Sequence, residues 1–200
     1  MMLMLVTRVH PELESIVRAA VDGGVNVVQI RGEVDVDAVC AAAGGARVVL
    51  SARRRPAGWP GAVPAPGRRD AARPAGEDAG APSPGLHLRE NAPFAESPFT
   101  GRSVHSVEAA IRAEQEGCDY ILAGSVFATT SHPGGPVAGV TLIEEIAQRI
   151  TIPVIAIGGI TAANARQCID AGAGGVAVIS AIFDAEDPKQ AAQDLWRAMA

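Results

Sequence analysis

Short apolar runs rich in β-branched residues alternate along this chain with segments whose apolar positions recur at helical spacing. That alternation is the pattern of βα units around a parallel sheet, whose strands are buried on both faces. LMLVTR (3–8) predicts a first strand, and Pro11 opens a helix with Leu13, Ile16, Val17 and Ala20 on one face, closed by Gly23 and Gly24. VNVVQIR (25–31) is a second strand, followed by a short helix at VDAVCAAA, and RVVLSA (47–52) is a third. The pattern then stops: residues 56–84 hold seven Pro, five Gly and eight Ala, so no full helix forms there. At most a short turn near 68–73 is expected.

Order resumes with strands at GLHLRE (85–90) and RSVH (102–105). Ser106 is placed to cap the helix SVEAAIRAEQEG, with Glu108 in its first turn and Gly117 at its end. DYILAGSVF (119–127) is a sixth strand, TLIEEIAQRI a helix from Thr141, and IPVIAIGGI (152–160) a seventh strand. Thr161 is expected to cap a helix through Cys168, GGVAVISAIF (174–183) to form an eighth strand, and DPKQAAQDLWRAM a closing amphipathic helix. Eight strands with intervening helices predict an α/β fold, a single (β/α)8 TIM barrel over residues 1–200 whose third helix is replaced by the Pro/Gly/Ala-rich insertion 56–84.

Charge and composition narrow the function classes. The net charge of −5 gives no basic footprint for nucleic acid or an anionic membrane. Lys189 is the sole lysine and sits in the terminal helix, which argues against Schiff-base chemistry. Cys40, Cys118 and Cys168 are widely spaced, so reduced thiols are expected rather than a zinc site or disulfide framework. The first residues read as a buried strand rather than a signal peptide, and no run approaches a membrane span, so a cytoplasmic location is expected. Nothing here fixes the oligomeric state, and a homo-oligomer stays open.

The chemistry gathers at strand ends. In this barrel class the loops after strands seven and eight commonly bind phosphate through backbone N–H groups, and Gly158 with Gly159 on one side and Ile179 with Ser180 on the other predict such a cradle. The competing reading of the glycine pair is a tight turn that needs positive φ. Arg31, at the end of a buried strand, offers a planar fork for a carboxylate or phosphate, with an internal ion pair to Glu33 or Glu90 as the alternative. Of the histidines, His132 lies in a Gly/Pro-rich loop after strand six and His105 at the end of strand five, both placed for proton transfer, with an exposed loop residue for His132 and a hydrogen-bonded structural residue for His105 as the competing readings. His87, mid-strand, reads as a packed barrel residue.

VQIRGE (28–33), GLHLRE (85–90), GRSVHSVEAA (101–110), DYILAGSVFATT (119–130), IPVIAIGGI and GVAVISAIF together resemble the thiamine-phosphate synthase and TenI superfamily, strongly from residue 101 onward. The resemblance implies a (β/α)8 barrel handling thiazole phosphate, with Gln29, Arg31, Ser103 and Ser125 at the substrate. The synthase branch implies Mg²⁺ and cations around a departing pyrophosphate. At its motif positions this chain has Glu33 for a lysine, Ser51-Ala52-Arg53 for N-D-R, Arg89-Glu90-Asn91-Ala92 for G-Q-x-D, and His132 for the lysine of T-x-T-K. The TenI-like branch implies a metal-free thiazole tautomerase, and its G-H-V-F reads here Gly124-Ser125-Val126-Phe127. On these residues the leading expectation is the tautomerase, an isomerase without cofactor, using His132 or His105 as acid/base. The alternatives are a Mg²⁺-dependent synthase joining pyrimidine pyrophosphate to thiazole phosphate, and a non-catalytic thiazole-phosphate binder.

Overall fold

The computed structural model describes residues 1–51, 84–130 and 134–200. Eight parallel strands close into a barrel in sequence order: β1 (Met2–Val6), β2 (Val27–Ile30), β3 (Arg47–Ser51), β4 (Gly85–Leu88), β5 (Thr100–Val104), β6 (Tyr120–Gly124), β7 (Val154–Ile157) and β8 (Gly175–Val178). β8 returns to pair with β1, Met2 opposite Gly175 and Leu5 opposite Val178. The TIM barrel expected from the sequence is the fold found. The replacement of a helix by the insertion 56–84 falls, up to residue 83, outside the described residues.

Alternation along each strand sorts the side chains into two cores. Met4, Val6, Val27, Val49, Tyr120, Leu122, Ile155 and Ala177 fill the barrel. Leu3, Leu5, Val28, Leu50, Ile121, Val154 and Val176 face outward against the helices. Each fully buried Leu or Ile in this layer contributes about 1.5–3 kcal/mol over its exposed state.

The helices follow the predicted periods. α1 (Leu13–Asp22) buries Leu13, Ile16, Val17 and Ala20, and α2 (Val36–Ala43) starts at Asp35, whose side chain accepts from Ala38 N. α3 (Val107–Gln115) is capped by Ser106, which accepts from Ala109 N, and α4 (Thr141–Ala147) buries Leu142, Ile143 and Ile146. α7 (Pro188–Met199) lies on α1, where Trp196 Nε1 donates to Gly24 O at 2.5 Å.

Two local expectations fail. Thr161 does not cap the helix with its side chain: α5 (Ala165–Asp170) begins after Asn164, whose side chain makes no capping bond to it and instead accepts from Thr161 N at 2.8 Å and donates to Gly159 O at 3.0 Å. The apolar run 174–183 is not one strand, because β8 stops at Val178 and α6 (Ser180–Phe183) starts two residues on. Between β4 and β5 the chain makes no helix. The Arg102 side chain, 3% exposed, organises that connection by donating to the carbonyls of Arg89 (2.9 Å), Glu90 (2.9 Å) and Ala92 (2.7 Å) while pairing with Glu116 at 2.7 Å. Of the thiols, Cys118 and Cys168 are buried, Cys40 is half-buried, and all three are free. Among the described residues no helix is long and apolar enough to cross a membrane.

Candidate functional site

The barrel filling changes character toward the strands' C-terminal ends. On β2 to β5 the inward positions there are Gln29, Ser51, His87 and Ser103. Gln29 is buried and donates from Nε2 to Ser51 Oγ at 3.1 Å, while its buried Oε1 has no donor among the described residues. Such an orphaned acceptor costs about 1–3 kcal/mol unless a ligand supplies the hydrogen.

His87 is also buried, as its mid-strand place implied, with its two ring nitrogens 3.0 Å from Tyr120 Oη and 2.9 Å from Ser103 Oγ. Burial first, and then the positive charges of Arg31 and Arg102, push its pKa down to about 3. It is therefore a neutral imidazole at physiological pH. Tyr120, at the start of β6, was not singled out by the sequence; the signal was Gly101, since a methyl group there would overlap the Tyr120 ring. Burial raises the Tyr120 phenol far above its usual range.

Arg31 follows β2 at the mouth, with its backbone N–H on Thr7 Oγ1 at 2.9 Å, and its side chain is near enough to His87 to act on it. His105 stands just beyond β5, 63% exposed, with Nδ1 2.6 Å from Glu90 Oε2. Glu90 is thus held by His105. His132 lies outside the described residues.

On the opposite side, the loops after β6 and β7 interlock. Val126 N donates to Ile157 O and Phe127 N to Gly158 O, extending the strand pairing, while Ser125 O accepts from Ala138 N. Ser125 is half-buried and its Cβ occupies the space a side chain at Gly158 would need. Gly158 and Gly159 have φ of 106° and 64°, and a Cβ on Gly159 would overlap Ala128 O. Both glycines are therefore required by the turn and by loop packing. Gly159 is followed across the β7–β8 pairing by Ile179 and Ser180, where α6 starts with first-turn N–H groups that have no partner inside the helix. The structure thus brings Gln29, Arg31, Ser103, Ser125, Gly158, Gly159, Ile179 and Ser180 to one end of the barrel, the end that carries the site in this fold.

The Mg²⁺ implied by the synthase resemblance can be tested against the donors present. Hard cations need several oxygen ligands, usually carboxylates. Among the described residues no three His, Cys, Asp or Glu side chains gather as a cation set. The motif position of one family carboxylate is Ala92, whose carbonyl serves Arg102, and the neighbouring Glu90 is engaged by His105. The described donors do not fit the ion.

Comparison with known proteins agrees with the barrel fold. Residues 86–182 match the thiamine monophosphate synthase family. The chain is similar to the thiamine-phosphate synthase of Methanocella arvoryzae, 52% identical over 96 residues (48% of this chain, 45% of that protein). It is 55% identical over 95 residues to that of Bacillus velezensis (46% and 42%). The matched part spans about half the length of these curated relatives. In three dimensions the barrel superposes on a thiamine phosphate pyrophosphorylase from Pyrococcus furiosus with a TM-score of 0.71, 26% identity, 99% of this chain and 95% of that chain. A 3-hexulose-6-phosphate synthase, at 16% identity and TM-score 0.67, shares the fold. The named relatives are synthases, which backs the transferase alternative over the isomerase first expected. From β4 to the start of α6, with the loops that join these strands, the chain thus resembles the thiamine monophosphate synthase family.

Proposed function

We propose that this barrel binds thiazole phosphate at its C-terminal mouth and joins it to a pyrimidine delivered as its pyrophosphate, the transfer carried out by a thiamine-phosphate synthase. The observation that carries this reading is the match over residues 86–182, which include both phosphate-side loops and the Ser103 strand. The backbone of Gly158, Gly159, Ile179 and Ser180 holds the phosphate, as the loops after the last two strands do in this fold. Gln29 presents its unpaired Oε1 to a ligand donor, Ser103 and Ser125 border the heterocycle, and Arg31 supplies positive charge beside the departing group. The pyrimidine–oxygen bond breaks, pyrophosphate leaves with the bonding pair, and the thiazole nitrogen lone pair forms the new carbon–nitrogen bond.

A second reading is favoured by the His105–Glu90 pair at 2.6 Å on the mouth. A carboxylate beside an imidazole can accept and return a proton, the requirement for isomerising a thiazole phosphate carboxylate without metal. One experiment separates the two. The protein is incubated with pyrimidine pyrophosphate and thiazole phosphate, with Mg²⁺ or with EDTA, and separately with the non-aromatic thiazole isomer. Pyrophosphate release with formation of thiamine phosphate supports the synthase, and its persistence in EDTA would match the donor set described above. Isomerisation without pyrophosphate release supports the second reading. Binding of thiazole phosphate with neither reaction makes the protein a non-catalytic binder and refutes both.

A further inference from the structure

We propose that Tyr120 is a positioning residue: its buried hydroxyl locks the His87 imidazole as the Nε2–H tautomer, which frees the Ser103 hydroxyl proton to donate to an acceptor atom of a ligand in the barrel mouth. Tyr120 is fully buried in the barrel filling, and its only hydrogen-bond partner among the described residues is His87 Nδ1 at 3.0 Å. A phenol in such a place donates its hydrogen when an acceptor is in reach. His87 is neutral, so one ring nitrogen accepts and the other donates. With Nδ1 taking the Tyr120 hydrogen, Nε2 carries the proton and donates to Ser103 Oγ at 2.9 Å. Ser103 then has an occupied acceptor site and an uncommitted hydrogen. It is half-buried, and His87 is its only side-chain partner among the described residues.

The opposite order, Ser103 to His87 to Tyr120, would leave the phenol hydrogen without an acceptor at the barrel centre, which costs about 1–3 kcal/mol. The ring cannot swing away to find one. Phe99 stacks on it at 4.9 Å between centroids, and Gly101 leaves space that the ring fills. The chain Tyr120–His87–Ser103 therefore runs one way, from the barrel centre to the mouth.

The tautomer does not depend on the proposed function; only the identity of the ligand that meets Ser103 rests on that reading. The test is ¹⁵N NMR of protein labelled at histidine, at pH 7, with the His87 signals identified by their loss in His87→Gln. A protonated Nε2 and a bare Nδ1 are expected in the wild type. Tyr120→Phe, which keeps the stacked ring and removes only the hydroxyl, should give a mixed or reversed tautomer. Wild-type His87 protonated at Nδ1 overturns the proposal without any variant, and so does an unmixed Nε2–H in Tyr120→Phe.

Calorimetry with thiazole phosphate and with pyrimidine pyrophosphate, each alone, reads the consequence. Ser103→Ala and Tyr120→Phe should each weaken at least one ligand by about 10-fold, the size of one hydrogen bond, and the double variant no further. Additive losses, or unchanged affinity for both ligands, refute the relay. Failure of both ligands to bind the wild type, with the tautomer as expected, sinks the functional reading and leaves the lock standing.

Discussion

Acid should weaken this protein through His87 before its ordinary carboxylates titrate. In the folded barrel the imidazole pKa is held at about 3, against 6.5 for a free side chain. Above pH 6.5 neither folded nor unfolded chain takes up this proton, so the contribution is flat. Below it the unfolded chain is protonated and the folded one is not, and stability falls with pH by about 1.4 kcal/mol per unit until the folded value is reached. From pH 7.5 to 4.5 the loss is about 3 kcal/mol, a large part of the roughly 5–15 kcal/mol typical of a domain. Urea unfolding followed by far-ultraviolet circular dichroism, at half-unit steps across that window, measures it. His87→Gln keeps a polar side chain that does not titrate. The other three histidines remain in both proteins and cancel in the comparison. The variant should start less stable at pH 7.5 and lose about 3 kcal/mol less than the wild type on the way down. Parallel curves would mean that His87 takes its proton within the folded barrel, and the account of a neutral buried imidazole would be wrong.

Gly159→Ala should lower stability by about 2 kcal/mol, since it forces a side chain into positive φ and against Ala128 O; a melting temperature unchanged by differential scanning fluorimetry would count against the interlocked loops. Arg102→Met strips three carbonyls of their donor and leaves Glu116 unpaired, so a loss of about 3 kcal/mol and faster amide exchange confined to residues 89–99 are expected by hydrogen-exchange mass spectrometry. Ser106→Ala removes the α3 cap and should cost about 1 kcal/mol in chemical denaturation. His105→Asn should leave pyrophosphate release within a few-fold of wild type under the synthase reading and lower isomerisation by about 100-fold under the other.

The barrel was legible because parallel strands buried on both faces write themselves as β-branched runs, and VNVVQI or IPVIAI can hardly be read otherwise. The helix α6 was not, since AVISAIF is continuous apolar sequence and period alone cannot divide it at Ile179. Thr161 and Asn164 are both residue types that cap helices, yet the Asn164 side chain turns back to Thr161 N and α5 starts without a side-chain cap. In the site, Gly158, Gly159, Ile179 and Ser180 declared themselves by lying at the ends of neighbouring strands. The contact of His87 with Tyr120 and Ser103 could not be read from sequence, because it depends on the register of β4, β5 and β6 across the barrel interior. Arg102 was likewise silent: a charged residue in a strand looks like a solvent-facing position until its three carbonyl partners are placed around it.

The pairing of β1 with β8 has a consequence for how the chain must be made. Met2 meets Gly175, so the barrel's first strand waits until its last has been made before its second neighbour exists. Until then the nascent sheet has two open edges, at β1 and at whichever strand was synthesised last, and both are templates for pairing with another molecule. Closing it also joins sites of very large sequence separation, a slow step by its topology. A chain truncated before β8 would therefore lose more than one strand's contacts. It would leave one edge each of β1 and β7 unpaired for good, and aggregation rather than a smaller folded barrel is the state it should reach.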